Sequence, residues 1–131
     1  MSVSYAREYI DRLYDSRDIS TLYGVITTLH RDRVLPERFH LFILLWNWCC
    51  ATRSGMWQYY EGVTQCDFRK AYDLLNKYDL PWIAVVYQQG QAANRCHDLD
   101  IWIEENWSQL EEAAIDLIAD YRDSLYPLPK M

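Results

Sequence analysis

The chain has 131 residues, 19 acidic and 13 basic, for a formal net charge of −6, and half of it is hydrophobic. Its 3 Phe, 6 Trp and 11 Tyr exclude disorder along the whole length. The length suits one domain spanning residues 1–131. A chain of this size buries about two-thirds of its unfolded surface. Only 4 Gly and 4 Pro argue against a turn-rich barrel or sandwich. A pI near 4.9 argues against direct binding to nucleic acid or to an anionic membrane, both of which call for basic surface.

The apolar residues recur at helical spacing almost throughout. Residues 3–15 set Tyr5, Tyr9, Ile10, Leu13 and Tyr14 three and four apart. Asp18 or Ser20 can cap a second helix through about His30, with Leu22, Val25, Ile26 and Leu29 inward. Pro36 suits the first turn of a third helix to about Thr52, apolar on nearly every side from Leu41 to Cys50 and so expected to be the buried central one. Ser54-Gly55 marks a joint, and Met56-Trp57-Gln58-Tyr59-Tyr60 follows, closed by Gly62. Asp67 is the expected N-cap of a helix through about Tyr78, broken by Asp79-Leu80-Pro81. Pro81 opens another helix to about Arg95. The last segment, Asp98 to Tyr126, is stopped by Pro127 and Pro129, and the capping-box spacing of Ser108 and Glu111 favours a second helix starting near Ser108. The pattern predicts an all-α domain of six to eight helices.

The acidity is concentrated at one end. Residues 98–123 carry Asp98, Asp100, Glu104, Glu105, Glu111, Glu112, Asp116, Asp120 and Asp123 against a single base, Arg122. On a helical wheel Ile103, Trp107, Leu110, Ala114, Leu117, Ile118 and Tyr121 share one face, with Glu105, Glu112, Asp116, Asp120 and Asp123 opposite. Two readings stand side by side. One is a solvated face that keeps the protein soluble. The other is a strip, including Glu104 and Glu111, whose uncompensated charge docks on a basic partner. Carboxylates one helical turn apart lie about 6 Å apart. Neighbouring phosphates on one nucleic-acid strand are on the order of 6–7 Å apart, the axial spacing of about 3.4 Å being part of that path.

The joint carries a family resemblance. Leu44-Leu45-Trp46-Asn47-Trp48 followed by Arg53-Ser54-Gly55-Met56-Trp57-Gln58-Tyr59-Tyr60 resembles the motif of the DNA mimic protein nineteen family, a bacterial domain otherwise of unknown function. Ala71-Tyr72-Asp73-Leu74-Leu75, Asp98-Leu99-Asp100 with Trp102, and the ending Ala119-Asp120-Tyr121-Arg122 follow a similar order. The resemblance covers about residues 34–125, with Gly55, Trp57, Gln58, Tyr59 and Tyr60 as its motif. Arg53 and Ser54 stand where Asn and Gly are usual, and Glu61-Gly62 where Tyr-Asn is common. It implies an all-α protein, and its named member occupies a DNA-binding protein in place of DNA. The residues also allow a structural role: Gly55 for a turn, the aromatics as wedges between helices, and Gln58 for freed backbone groups.

Other chemistry finds little footing. His30, His40 and His97 with Cys49, Cys50, Cys66 and Cys96 match no zinc spacing, so no metal and no cofactor are expected. The glycines at 24, 55, 62 and 90 are too scattered for a phosphate loop. The absence of C-x-x-C pairs and of an apolar leader points to reduced thiols in a cytoplasmic protein. The longest apolar run, Leu41 to Trp46, is far short of the roughly 20 residues of a membrane span. The expected function is therefore a non-enzymatic, protein-binding one. The partner is a basic protein: a DNA-binding protein or, alternatively, a toxin that this chain neutralises as an immunity protein, with Trp102 and Trp107 as candidate anchors. A homodimer stays open.

Overall fold

The computed structural model describes residues 3–51, 55–92 and 95–128. Thr52, Arg53, Ser54 and Pro129, which the sequence reading used, lie outside them. Among the described residues the chain is all-helical: α1 Arg7–Ser16, α2 Ile19–Asp32, α3 Glu37–Cys50, α4 Met56–Gly62, α5 Gln65–Lys77, α6 Pro81–Gln89, α7 Cys96–Glu105 and α8 Trp107–Ile118, then a 3-10 turn Arg122–Leu125. No strand occurs among them. None of these helices is long and apolar enough to cross a membrane. The chain forms two compact units, Met1–Ile43 with Glu111–Met131, and Leu44–Leu110.

In the first unit, α1 turns Ile10, Leu13 and Tyr14 inward and ends where Arg17 takes a left-handed conformation, φ 55°. The Asp18 N–H then reaches the Leu13 carbonyl at 3.1 Å, closing the turn. Asp18 caps α2 by accepting from the Thr21 N–H at 3.2 Å and from its hydroxyl at 2.8 Å. Ile19, Leu22, Val25, Ile26 and Leu29 are buried on α2, as are Phe39, Leu41 and Phe42 on α3 and Ala114, Ile115, Leu117 and Ile118 on α8. The Pro36 carbonyl accepts from the Phe39 N–H at 3.0 Å, so proline stands one residue before α3.

Two arginines finish this unit. Arg38 donates through Nη1 to the Leu117 carbonyl at 2.8 Å and stacks 4.1 Å over the Tyr121 ring. It supplies the cation that the last turn of α8 lacks in its own sequence. Arg122 lies 3.4 Å from both Asp11 and Asp15 and 4.8 Å over Tyr14. The Tyr126 hydroxyl donates to Asp11 as well.

In the second unit, Leu45, Trp46, Trp48 and Cys49 of α3 are buried. Several sequence expectations change here. The N-cap of α5 is Thr64, whose hydroxyl accepts from the Asp67 N–H at 3.0 Å. Asp67 sits in the first turn instead, where its charge meets the positive end of the helix dipole. A second helix does start near Ser108, at Trp107, but Asn106 rather than a Ser108 capping box makes the break. The Asn106 N–H and side chain both donate to the Trp102 carbonyl, at 3.0 and 2.8 Å, and its own carbonyl accepts from Leu110 at 3.0 Å. One residue thus closes α7 and opens α8, and Ser108 lies inside α8.

The end of α5 uses Asp79 in a left-handed conformation, φ 64°. The Leu80 N–H reaches the Leu75 carbonyl at 2.8 Å and Asp79 reaches Asn76 at 3.2 Å, the two bonds of a Schellman turn. Pro81 then begins α6, which stops at Gln89 rather than near Arg95.

Candidate functional site

The joint at Gly55 is fixed by contacts within the second unit. Gly55 has φ 93°, a conformation open to glycine and strained for other residues. The Met56 N–H, one of the unpaired donors at the start of α4, donates to Asp100 Oδ1 of α7 at 3.0 Å. Asp100 does what the sequence reading assigned to Gln58. The Gln58 side chain is exposed and makes no hydrogen bond among the described residues.

The three aromatics of the motif divide. Trp57 is 52 % exposed, with the edge of its indole ring lying against Gly55. Tyr59 and Tyr60 are half-buried and meet Tyr87 of α6 with ring centroids 6.0 and 5.9 Å away. The Tyr60 hydroxyl donates to the Tyr87 carbonyl at 2.6 Å and accepts from Trp48 Nε1 at 3.0 Å. The Tyr59 and Tyr87 hydroxyls share a hydrogen bond of 2.7 Å. Burial pushes all three phenols above their ordinary pKa, so the cluster stays neutral and hydrogen-bonded. Phe68 stacks on Tyr87 at 4.9 Å. The motif residues that pack therefore bind α4 to α3, α5 and α6.

The acidic residues do not form one helical strip. Glu104 and Glu105 end α7; Glu111, Glu112 and Asp116 lie on α8; Asp120 follows the end of α8; and Asp123 sits in the 3-10 turn. The break at Asn106 and the end of α8 at Ile118 divide the wheel, so Asp116 and Asp120 are not an intrahelical pair. On the apolar side Ile103, Leu110, Ala114, Leu117 and Ile118 are buried, while Trp107 is half-buried and Tyr121 exposed.

Glu104, Glu105, Glu112, Asp116, Asp120 and Asp123 are exposed, and Glu111 is half-buried. Glu112 has a cation the sequence reading missed, Arg17 at 2.7 Å. A residue ninety-five positions away leaves no signal at helical spacing. Asp98 meets Arg95 at 3.8 Å. Glu104, Glu105, Asp116, Asp120 and Asp123 make no ion pair among the described residues.

Trp102 and Trp107, the anchors suggested by the sequence, are half-buried. Trp107 lies 5.2 Å from Trp46, and Trp102 lies 6.5 Å from Trp48. The exposed tryptophans are Trp57 and, at 40 % exposure, Trp82. Trp82 and Val85 line the outer face of α6, and the Trp82 ring lies 6.0 Å from that of Trp102 on α7. A cavity of about 200 Å³ lies between α6 and α7, lined by Val86, Gln89, Arg95, Asp98, Leu99 and Trp102. The sequence reading missed this groove because α6 and α7 meet only in the fold.

A second hollow of about 460 Å³, between α5 and α6, is polar, with Gln65, Cys66, Arg69 and Gln88 around Tyr72. No group of three or more His, Cys, Asp or Glu able to hold a metal occurs among the described residues. Burial raises the Cys49 thiol far above its ordinary pKa, which disfavours a thiolate there. Comparison with protein-family models, with curated proteins and with solved structures gives no match to this chain.

Proposed function

We propose that this chain is a non-enzymatic binding domain whose acidic C-terminal residues dock on a basic surface of another protein. One observation carries the reading. In the first unit Asp116, Asp120 and Asp123 are exposed and make no ion pair among the described residues, while four of the unit's arginines are turned to other work. Arg33 and Arg38 donate to the carbonyls of Tyr126 and Leu117, Arg17 holds Glu112, and Arg122 is drawn to Asp11 and Asp15. Carboxylates left uncompensated repel one another, and a partner's Lys and Arg relieve that repulsion.

The resemblance of residues 34–125 to the DNA mimic protein nineteen family makes a DNA-binding protein the first partner class. In this reading α3 is the buried spine and the acidic end the working surface. Capture from a bacterial lysate, eluted by rising salt, tests it. The reading expects a basic protein retained at low salt and released at high salt, because exposed charge pairs are screened. No selective, salt-released protein overturns it.

A second reading is favoured by Trp82, an exposed aromatic beside acidic α7. Toxin inhibitors combine charge for fast association with aromatic anchors for tightness. A toxin-like reading frame next to the gene supports that reading.

A further inference from the structure

We propose that the groove between α6 and α7 seats a basic amphipathic helix of the partner, with one large apolar side chain in the cavity and two basic side chains, seven residues apart, against Asp98 and Glu105. The inference rests on the reading of this chain as an acidic docking domain and gives its second unit a part in it.

The cavity measures about 200 Å³. Pockets for small molecules run from about 300 to 1,000 Å³. This one suits a single side chain. Its walls include Val86, Leu99 and Trp102, and Trp82 and Val85 extend apolar surface beside it, 40 % and 55 % exposed. Apolar surface of this kind, edged by charge, is what an interface core with a polar rim requires.

Asp98 lines the cavity, and Glu105 lies beyond it at the end of the same helix; together they set the chemistry of the occupant. Asp98, Trp102 and Glu105 fall on one stripe of α7 at i, i+4 and i+7. The two carboxylates are therefore separated by about 10.5 Å of helix axis, at 1.5 Å per residue. A helix lying alongside repeats the same spacing with a basic residue at i, an apolar one at i+3 or i+4, and a basic one at i+7. Glu105 has no ion pair among the described residues, and Asp98 has only the loose contact with Arg95 at 3.8 Å. An acidic helix is repelled by this rim, and a second copy of α7 brings its own carboxylates with it. Arg95 lines the cavity beside Asp98 and competes with the incoming cation for it.

The probe is a synthetic alanine-rich helical peptide with Lys at i and i+7, Leu at i+3 and no aromatic residue, titrated into the full chain and followed by the protein's tryptophan fluorescence. Trp82→Ala is expected to weaken binding by about tenfold, the scale of a buried aromatic anchor. Replacing the peptide's Leu by Ala is expected to do the same. Arg95→Gln is expected to tighten binding by about twofold, the scale of a rim charge. Val85→Lys, at a position more than half exposed, serves as a second blocking variant should Trp82→Ala fail to fold by circular dichroism. A Glu-for-Lys peptide that binds equally well overturns the proposal. Binding that falls with Asp116→Lys and Asp120→Lys but not with Trp82→Ala or Val85→Lys also overturns it, while leaving the acidic docking reading in place. No binding of the basic peptide overturns the groove, and salt-released capture from lysate then decides the broader reading separately.

Discussion

Gly90 lies against the ring of Tyr60 so closely that a Cβ at position 90 would come within 2.1 Å of Tyr60 Cζ. The ring has little freedom to give way, because its hydroxyl is held from two sides by Trp48 and the Tyr87 carbonyl. Gly90 itself has φ −66°, a conformation any residue adopts, so the position requires glycine for space alone. Gly90→Ala is expected to cost about 1–3 kcal/mol, the range for overpacking a filled site. Urea unfolding measures it, and an unchanged midpoint would show that the Tyr60 ring relocates freely.

Tyr60→Phe and Tyr59→Phe separate the two halves of the same cluster. Without the Tyr60 hydroxyl, the Trp48 Nε1–H loses its partner and the Tyr87 carbonyl keeps only the Gly90 N–H at 3.3 Å, with an expected loss of about 1–3 kcal/mol. Tyr59→Phe removes only the bond to the Tyr87 hydroxyl, and about 1 kcal/mol is expected. Thermal or urea melts of the two variants should fall in that order.

These contacts explain what the sequence could and could not convey. Helical periodicity marked α2 and α5, and Asp18, Pro36 and Pro81 stood at the starts of their helices because capping and proline chemistry are local. Asp67 has the residue type of a cap, yet Thr64, three residues earlier, fills that place by accepting from the Asp67 N–H. Ser108 and Glu111 have the spacing of a capping box, yet Asn106 breaks the chain earlier by bonding back to Trp102. The bond from Met56 to Asp100, the fit of Gly90 to Tyr60 and the groove between α6 and α7 join residues distant in sequence, and one sequence carries no sign of them.

Asp11 sets an expected acid limb. The Tyr126 hydroxyl, with Arg122 and Arg7 nearby, holds its carboxyl below the ordinary value of 3.8. A carboxyl lowered by folding adds stability above its unfolded pKa, and that contribution disappears as pH falls through the lower folded value. Loss is therefore expected below about pH 4. Tyr126→Phe removes the largest cause, so its stability should fall less steeply over that window than that of the unmodified protein. Parallel acid titrations by circular dichroism compare the two, and identical limbs would discount the Tyr126–Asp11 contact.

Asp79 closes α5 in a left-handed conformation that glycine adopts at lower cost. Asp79→Gly is expected to leave stability equal or raise it by up to about 1 kcal/mol, the released backbone strain being offset in part by the greater freedom of glycine in the unfolded chain. A lowered melting temperature would mean that the Asp79 side chain contributes more than its backbone costs.

The claim that the acidic end is a working surface is tested most directly by reversing Asp116, Asp120 and Asp123 to Lys together, leaving Glu112 to its partner Arg17. Thermal melting and capture of the salt-released partner are read on the same preparation. Surface changes away from buried features usually cost within about 0.5 kcal/mol each, so the melting temperature should move little. Capture should be lost, because each carboxylate contact becomes a like-charge clash with a basic surface. Undiminished capture by a variant that still folds would contradict the account and leave these carboxylates a solvated face.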